Sequence, residues 1–148
     1  MKIKVAWIGK TKEPAIQALT DEYLKRLSRF AEVEGLSLKD EAALLKAAGR
    51  DSSKAARHFL VLLDSRGKQL SSEELARYLG DHQDRNPIPM LLAVGPADGF
   101  SDTARQKADL LLSLGRMTLA HELARVVLLE QLYRAFSILK GHPYHLGH

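Results

Sequence analysis

Apolar residues follow two rhythms along this chain. At the start, Ile3, Val5 and Trp7 alternate with Lys4 and Ala6 until Gly9, the period-two pattern of a strand over residues 2–9. The rhythm changes at Pro14, a residue suited to the first turn of a helix, after which Ile16, Leu19, Tyr23, Leu24, Leu27 and Phe30 recur at helical spacing. Residues 31–38 alternate again, with Val33 between Glu32 and Glu34, and Gly35 is expected to break or bulge the strand. The next stretch is harder to read. Ala42, Leu44, Leu45, Ala47 and Ala48 suggest a helix, and residues 49–53 a loop or a helix restart with a serine cap.

The second half is more regular. Phe59-Leu60-Val61-Leu62-Leu63 is a continuous apolar run, as in a parallel strand buried on both faces, and Asp64-Ser65-Arg66-Gly67-Lys68 reads as a polar loop after it. Ser71-Ser72-Glu73-Glu74 predicts a capped helix start, with Leu75, Tyr78 and Leu79 as its stripe until about Asp84. Asn86-Pro87-Ile88-Pro89 is a rigid connector into a second apolar strand, Met90-Leu91-Leu92-Ala93-Val94. A glycine turn follows, then a short helix capped by Ser101-Asp102 through about Lys107, a last strand over residues 109–114, and a second glycine turn. The helix predicted for residues 121–140 carries a wide apolar stripe, Leu123, Val126, Val127, Leu129, Leu132, Tyr133, Phe136 and Leu139, whose surplus width suggests a partner surface. Alternating strands and helices without repeat or linker imply one α/β domain over residues 1–148, with a mostly parallel sheet and helices on both faces.

Composition narrows the classes. A chain of 148 residues with 45% hydrophobic and 27% charged residues can build a packed core without a staple. The absence of cysteine excludes disulfides and thiolate chemistry, and agrees with a cytoplasmic location. The apolar stretch behind the basic start runs only from Val5 to Ile8, too short for a signal peptide, and no run is long enough to span a bilayer. The net charge of +4 permits an anionic partner without requiring one. Lys25, Arg26 and Arg29 are either a solvated helix face or an RNA backbone contact, and clustering of Lys46, Arg50, Lys54 and Arg57 is ordinarily solvation.

Chemistry is expected where buried strands end in glycine-bearing loops, because an open α/β sheet forms its ligand crevice there. Gly95-Pro96-Ala97-Asp98-Gly99 is such a loop, but it is neither a dinucleotide fingerprint nor a P-loop, and on spacing alone a plain tight turn is the better reading. Asp64 is either a ligand group or a turn stabiliser. Glu130 and Arg134, four apart, form a surface ion pair or part of a site, and Arg125, one turn after His121, is expected at the same crevice mouth, where it would clamp a phosphate or ribose. His142 and His145 have no carboxylate or cysteine close enough in sequence to complete a metal set.

Thr118-Leu119-Ala120-His121 running into Arg125-Val126, then Glu130-Gln131-Leu132-Tyr133-Arg134-Ala135-Phe136-Ser137-Ile138 and the tail His142-Pro143-Tyr144-His145, resembles the small single-domain members of the SPOUT class of RNA methyltransferases. Residues 1–30 and the segment from Leu62 to Lys68 fit as well. Two positions depart from the usual pattern: Val94 stands before Gly95, and Ala120 before His121. The resemblance implies a C-terminal trefoil knot and S-adenosyl-L-methionine held mainly through backbone groups by Leu63 and Asp64, Gly95, and the loop Gly115, Arg116, Met117, Thr118, Leu119 and Ala120. It implies methylation of N3 of a pseudouridine in 23S rRNA of the assembled ribosome, with neither membrane, DNA nor metal involved. It also implies a homodimer in which Arg125 and Arg134 hold the nucleotide with the tail of the other subunit, and His142, Tyr144 or His145 assists deprotonation. A SPOUT enzyme acting on tRNA or another rRNA position, or a non-catalytic RNA-binding module, are the alternatives.

Overall fold

The computed structural model describes residues 1–51, 55–85 and 88–144. The period-two and continuous apolar runs become β1 (Lys2–Ile8), β2 (Glu32–Leu38), β3 (Phe59–Gln69), β4 (Met90–Val94) and β5 (Leu110–Ser113). The helical stripes become α1 (Pro14–Leu27), α2 (Glu41–Ala47), α3 (Ser72–Arg85), α4 (Asp102–Lys107) and α5 (His121–Leu139). Pro14 does open α1. Ser71 and Glu74 form the expected reciprocal cap of α3, each side chain accepting from the other residue's amide. Ser101 caps α4 through the Ala104 amide. His145, Ser52, Ser53, Lys54, Asn86 and Pro87 lie outside the described residues.

All strand pairings are parallel, in the order β2-β1-β4-β3-β5. The steps β1 to β2 and β3 to β4 run toward one edge, and the steps β2 to β3 and β4 to β5 toward the other. Right-handed crossovers must therefore put α1 and α3 on one face and α2 and α4 on the opposite face. The packing agrees. Leu27, Leu75 and Leu79 join α5 residues Leu128, Leu132 and Phe136 over Val5, Trp7 and Leu92, whereas Leu44, Ala48 and Ala104 lie over Ala6, Leu62 and Leu91. All five residues of β4, near the middle of the sheet, are buried.

Two strands differ from the expectation. Gly35 neither breaks nor bulges β2, which keeps an unbroken register with β1 from Lys2–Glu32 to Ile8–Leu38. Its reason is crowding: a Cβ there would lie 2.8 Å from Leu24 Cδ1 and 2.9 Å from Trp7 Cη2. β3 does not stop at Leu63 but runs on to Gln69, with the irregularity placed between Leu63 and Lys68 where a plain loop was expected. Gly67 permits this close approach, since a Cβ would sit 2.6 Å from the carbonyl of Leu111 in β5.

At the amino edge of the sheet, the Asp109 carboxylate accepts from the Leu60 amide at 2.8 Å and pairs with Arg50 at 2.5 Å and Arg57 at 2.8 Å. That anchor fixes β5 beside β3 and leaves the carboxyl edge to the long loops. Gly67→Ala should push β5 away from β3 and lower the free energy of unfolding by about 1–3 kcal/mol, as other overpacked sites do. Urea titration followed by circular dichroism measures it, and an unchanged midpoint would show that the β3–β5 contact is not tight.

Candidate active site

At the carboxyl edge, β4 sends its chain to α4 on one face while its neighbour β3 feeds α3 on the other, so the two loops part. Between them, and closed by the loop after β5, is a cleft of about 290 Å³, close to the low end of the range for small-molecule sites. Its walls are Leu63, Val94, Phe100, Leu114 and Leu119, with Asp64, Asp98, Arg66 and Arg105 as charged groups.

Backbone conformation shapes this cleft. Gly115 has φ of +141° and Gly99 +83°, values that other residues rarely adopt, and open space lies around both. The Ser113 hydroxyl holds the Gly115 turn, donating to its carbonyl at 2.8 Å and accepting from its amide at 3.2 Å. Gly95 is covered by the Phe100 ring, 3.0 Å from where a Cβ would stand. Asp64 stabilises its turn, its Oδ1 accepting from the Arg66 amide at 2.8 Å, and it also lines the cleft.

Arg105 was not anticipated from the sequence, although it follows the Ser101 cap by one turn. It donates to the Phe100 carbonyl at 2.9 Å, pairs with Asp102, and reaches within 3.6 Å of Asp64. One guanidinium thus ties the β4 loop to the irregular middle of β3.

Of the residues expected to hold a cofactor, Leu63, Asp64, Gly95, Gly115, Met117, Thr118 and Leu119 line the cleft, together with His121 and Ala124 of α5. Arg116 and Ala120 belong to the same loop but are not part of the lining, and both are exposed. The residues expected to act on the substrate separate from them. Arg134 pairs with Glu130, its Nε donating to Oε1 at 3.0 Å. Tyr144 packs edge-on against Tyr133, ring centroids 4.7 Å apart, under the Arg134 guanidinium and with its hydroxyl 3.4 Å from Glu130 Oε1. His142 meets the edge of Phe30. At 1.5 Å per residue the 19-residue α5 is about 28 Å long, and the cleft lies at its start and the tail at its end. Among the described residues, a single chain does not bring the two groups together.

Arg125 faces neither. It does not share the crevice mouth with His121, because its position on α5 turns it under α1: it is 1% exposed, with its guanidinium 4.2 Å from the Trp7 ring centroid. Its Nη1 donates to Thr11 Oγ1 at 2.7 Å and lies 3.5 Å from Thr20 Oγ1, while Nε has no partner among the described residues. Burial pulls the guanidinium below its ordinary pKa, against the opposing pull of Glu122.

Among the described residues no helix is long and apolar enough to cross a membrane, and no group of three or more His, Cys, Asp or Glu is placed to hold a metal. Comparison with known proteins then decides the family. The model of the family described as "Predicted SPOUT methyltransferase" matches residues 1–145. The chain belongs to the SPOUT methyltransferases. It is 57% identical over 148 residues to the Ribosomal RNA large subunit methyltransferase H of Koribacter versatilis, covering all of both chains. It is 42% identical to the protein of the same name from Geotalea daltonii, covering 98% of this chain and 99% of that one. A probable methylase family protein from Haemophilus influenzae Rd KW20 shares the fold, with a TM-score of 0.58 at 14% identity over 96% of this chain and 69% of the other. As a SPOUT member this chain is a methyltransferase and uses a methyl donor.

Because Arg125 packs on Trp7 and makes no ion pair among the described residues, its aliphatic and planar bulk should matter more to folding stability than its charge. Arg125→Met should cost less stability than Arg125→Ala, which leaves a cavity worth about 2 kcal/mol or more. Thermal and urea unfolding of both variants checks this, and equal losses would point to the charge instead.

Proposed function

We propose that this methyltransferase uses S-adenosyl-L-methionine to methylate N3 of a pseudouridine in 23S rRNA of the assembled ribosome, as a cytoplasmic homodimer. The reading is supported by the relatives named for the large ribosomal subunit and, in the structure, by the split of candidate residues along α5. Cleft residues at the start of that helix and substrate residues at its end form one site only if a second copy runs its α5 the other way. Exposed Leu19 on α1 and Leu123 on α5, 43% and 52% accessible, offer such a copy an apolar seat.

The residues present fit the donor. Apolar Leu63, Val94 and Leu119 suit a purine, the uncrowded glycine turns at Gly99 and Gly115 let a ligand approach the backbone closely, and Asp64 and Asp98 suit its cationic groups. When bound, S-adenosylmethionine supplies an electrophilic methyl group. What the protein must do is hold the ring nitrogen in line and accept its proton, and positioning alone can supply much of the rate. In this reading Arg134 and the tail of the other subunit grip the nucleotide. Tyr144 acts as a donor and not as the base, since burial, then its hydrogen bond with Tyr23 and the charge of Glu130, push its hydroxyl well above the ordinary tyrosine range. His142 and His145 are then the tail groups left for the role of base. Arg125 serves beneath the site. The trefoil knot of this class goes with the same reading.

Transfer of labelled methyl to ribosomes, free 23S rRNA and bulk tRNA, followed by nucleoside mass spectrometry, tests the substrate. Methylated pseudouridine from ribosomes is expected, whereas label on tRNA alone would replace the substrate and no label would favour a binding module. Removing the tail after Gly141 should lower transfer by roughly 100-fold or more, the usual worth of acid–base and positioning groups, while donor binding persists. Co-expression with a full-length subunit blocked by Gly115→Val should restore part of the activity. No restoration would contradict a tail acting on the other subunit's cleft.

A further inference from the structure

The loop between β1 and α1 is the part of the carboxyl edge that the site described above leaves unused. It carries two exposed lysines, Lys10 and Lys12, yet its backbone is held firmly. Gly9 donates to the Leu38 carbonyl at 2.9 Å and its own carbonyl accepts from the Ser37 hydroxyl at 3.1 Å. The Lys12 amide donates to Glu122 Oε1 at 2.7 Å, which docks the loop onto the first turn of α5, beside the cleft residue His121. Thr11 is held by buried Arg125.

That last contact calls for an explanation. A guanidinium that is 1% exposed, held by the Trp7 ring and two threonine hydroxyls, with no ion pair and an unpartnered Nε among the described residues, is a costly way to hold a loop. A neutral hydrogen-bonding side chain would hold the loop as well. What the arginine adds is positive charge, placed under a lysine loop in a low-dielectric setting where screening is weak. Arg116, from the loop after β5, adds exposed positive charge beside the cleft; Arg66 is paired with Asp64 and Asp102 with Arg105, which leaves Glu13 and Asp98 as the facing exposed acids. Glu122 accepts from the Lys12 amide, and its negative charge also faces Arg125.

We propose that the loop Gly9-Lys10-Thr11-Lys12 is a preformed seat for the phosphate backbone of the RNA substrate, with Lys10 and Lys12 as the phosphate contacts and Arg125 as the positioning residue beneath them. The inference rests on RNA being the substrate. A rigid, positively charged loop one helical turn from the cleft positions the strand that carries the target nucleotide, and reads no sequence. Its energy is that of counterion release, so it must show in the salt dependence of binding.

The test is the double variant Lys10→Glu/Lys12→Glu, with Thr11→Val as a second variant that keeps both lysines but cuts the tie to Arg125. For the double variant, the KM for ribosomes should rise at least tenfold, and the slope of log affinity against log salt should become shallower by about 2, one for each lost contact. Its melting temperature and its affinity for S-adenosylmethionine should stay those of the unaltered protein. Thr11→Val should raise KM less and leave the slope nearly unchanged. An unchanged KM and slope in the double variant, with the unaltered protein active, would overturn the loop's role alone. If the unaltered protein methylates no RNA, the functional reading fails, and filter binding of 23S rRNA still decides for the loop: weaker, less salt-dependent binding by the variant supports it and equal binding sinks it.

Discussion

The handedness of the strand crossovers constrains everything else in this molecule. In the order β2-β1-β4-β3-β5, right-handed connections force the helices after β3 and β4 to opposite faces, and the loops that start them must separate. The cleft is the space they leave. No side chain has to be added to create it, only residues that let the backbone turn sharply at its rim: Gly99 and Gly115 with positive φ, and Ser113 holding the second turn. Burial of β4 from end to end fixes the floor, because any shift of that strand would disturb packing on both faces at once.

The long helix that closes the fold then sets the distances. α5 begins at the cleft and ends about 28 Å away, and on the way it fills the face of the sheet between α1 and α3. Its apolar width is largely used inside the chain: Leu128, Leu129, Leu132, Tyr133 and Phe136 are all buried, leaving Leu123 and the half-covered Leu139 outward. Tyr144 and His142 fold back on Tyr133 and Phe30, next to Glu130 and Arg134, far from the cleft of their own chain. In the homodimer proposed above, a second copy would bring its tail to this cleft, and dimerisation would then serve catalysis as well as stability.

Much of this was legible in the sequence, and the exceptions share a cause. Strand and helix positions followed from periodicity, and the caps of α3 and α4 from Ser71, Glu74 and Ser101, since those signals are local. The cleft lining followed from glycine turns after apolar runs together with family resemblance; the turns alone were ambiguous. What escaped depended on neighbours distant in sequence. Gly35 is a packing glycine because Trp7 and Leu24 cover it, and β3 continues past Asp64 because β5 lies alongside. Arg105 gains its meaning from Asp64 and the Phe100 carbonyl. Arg125 was placed at the crevice by helical spacing from His121, but spacing gives only an angle around the helix axis, and α1 covers that side with Thr11 and Thr20.

The central claim is that the carboxyl-edge cleft holds the methyl donor, and Gly95 tests it most directly. Any Cβ at this position already meets the Phe100 ring at 3.0 Å, so Gly95→Val must drive that ring or its own methyl groups into the cleft. Calorimetric titration of S-adenosylmethionine into the unaltered protein and into Gly95→Val, each first shown to be folded by its melting transition, is the measurement. The account predicts one donor bound per functional cleft in the unaltered protein and at least a tenfold loss of affinity in the variant. Equal affinity in the two would place the donor elsewhere and contradict the account.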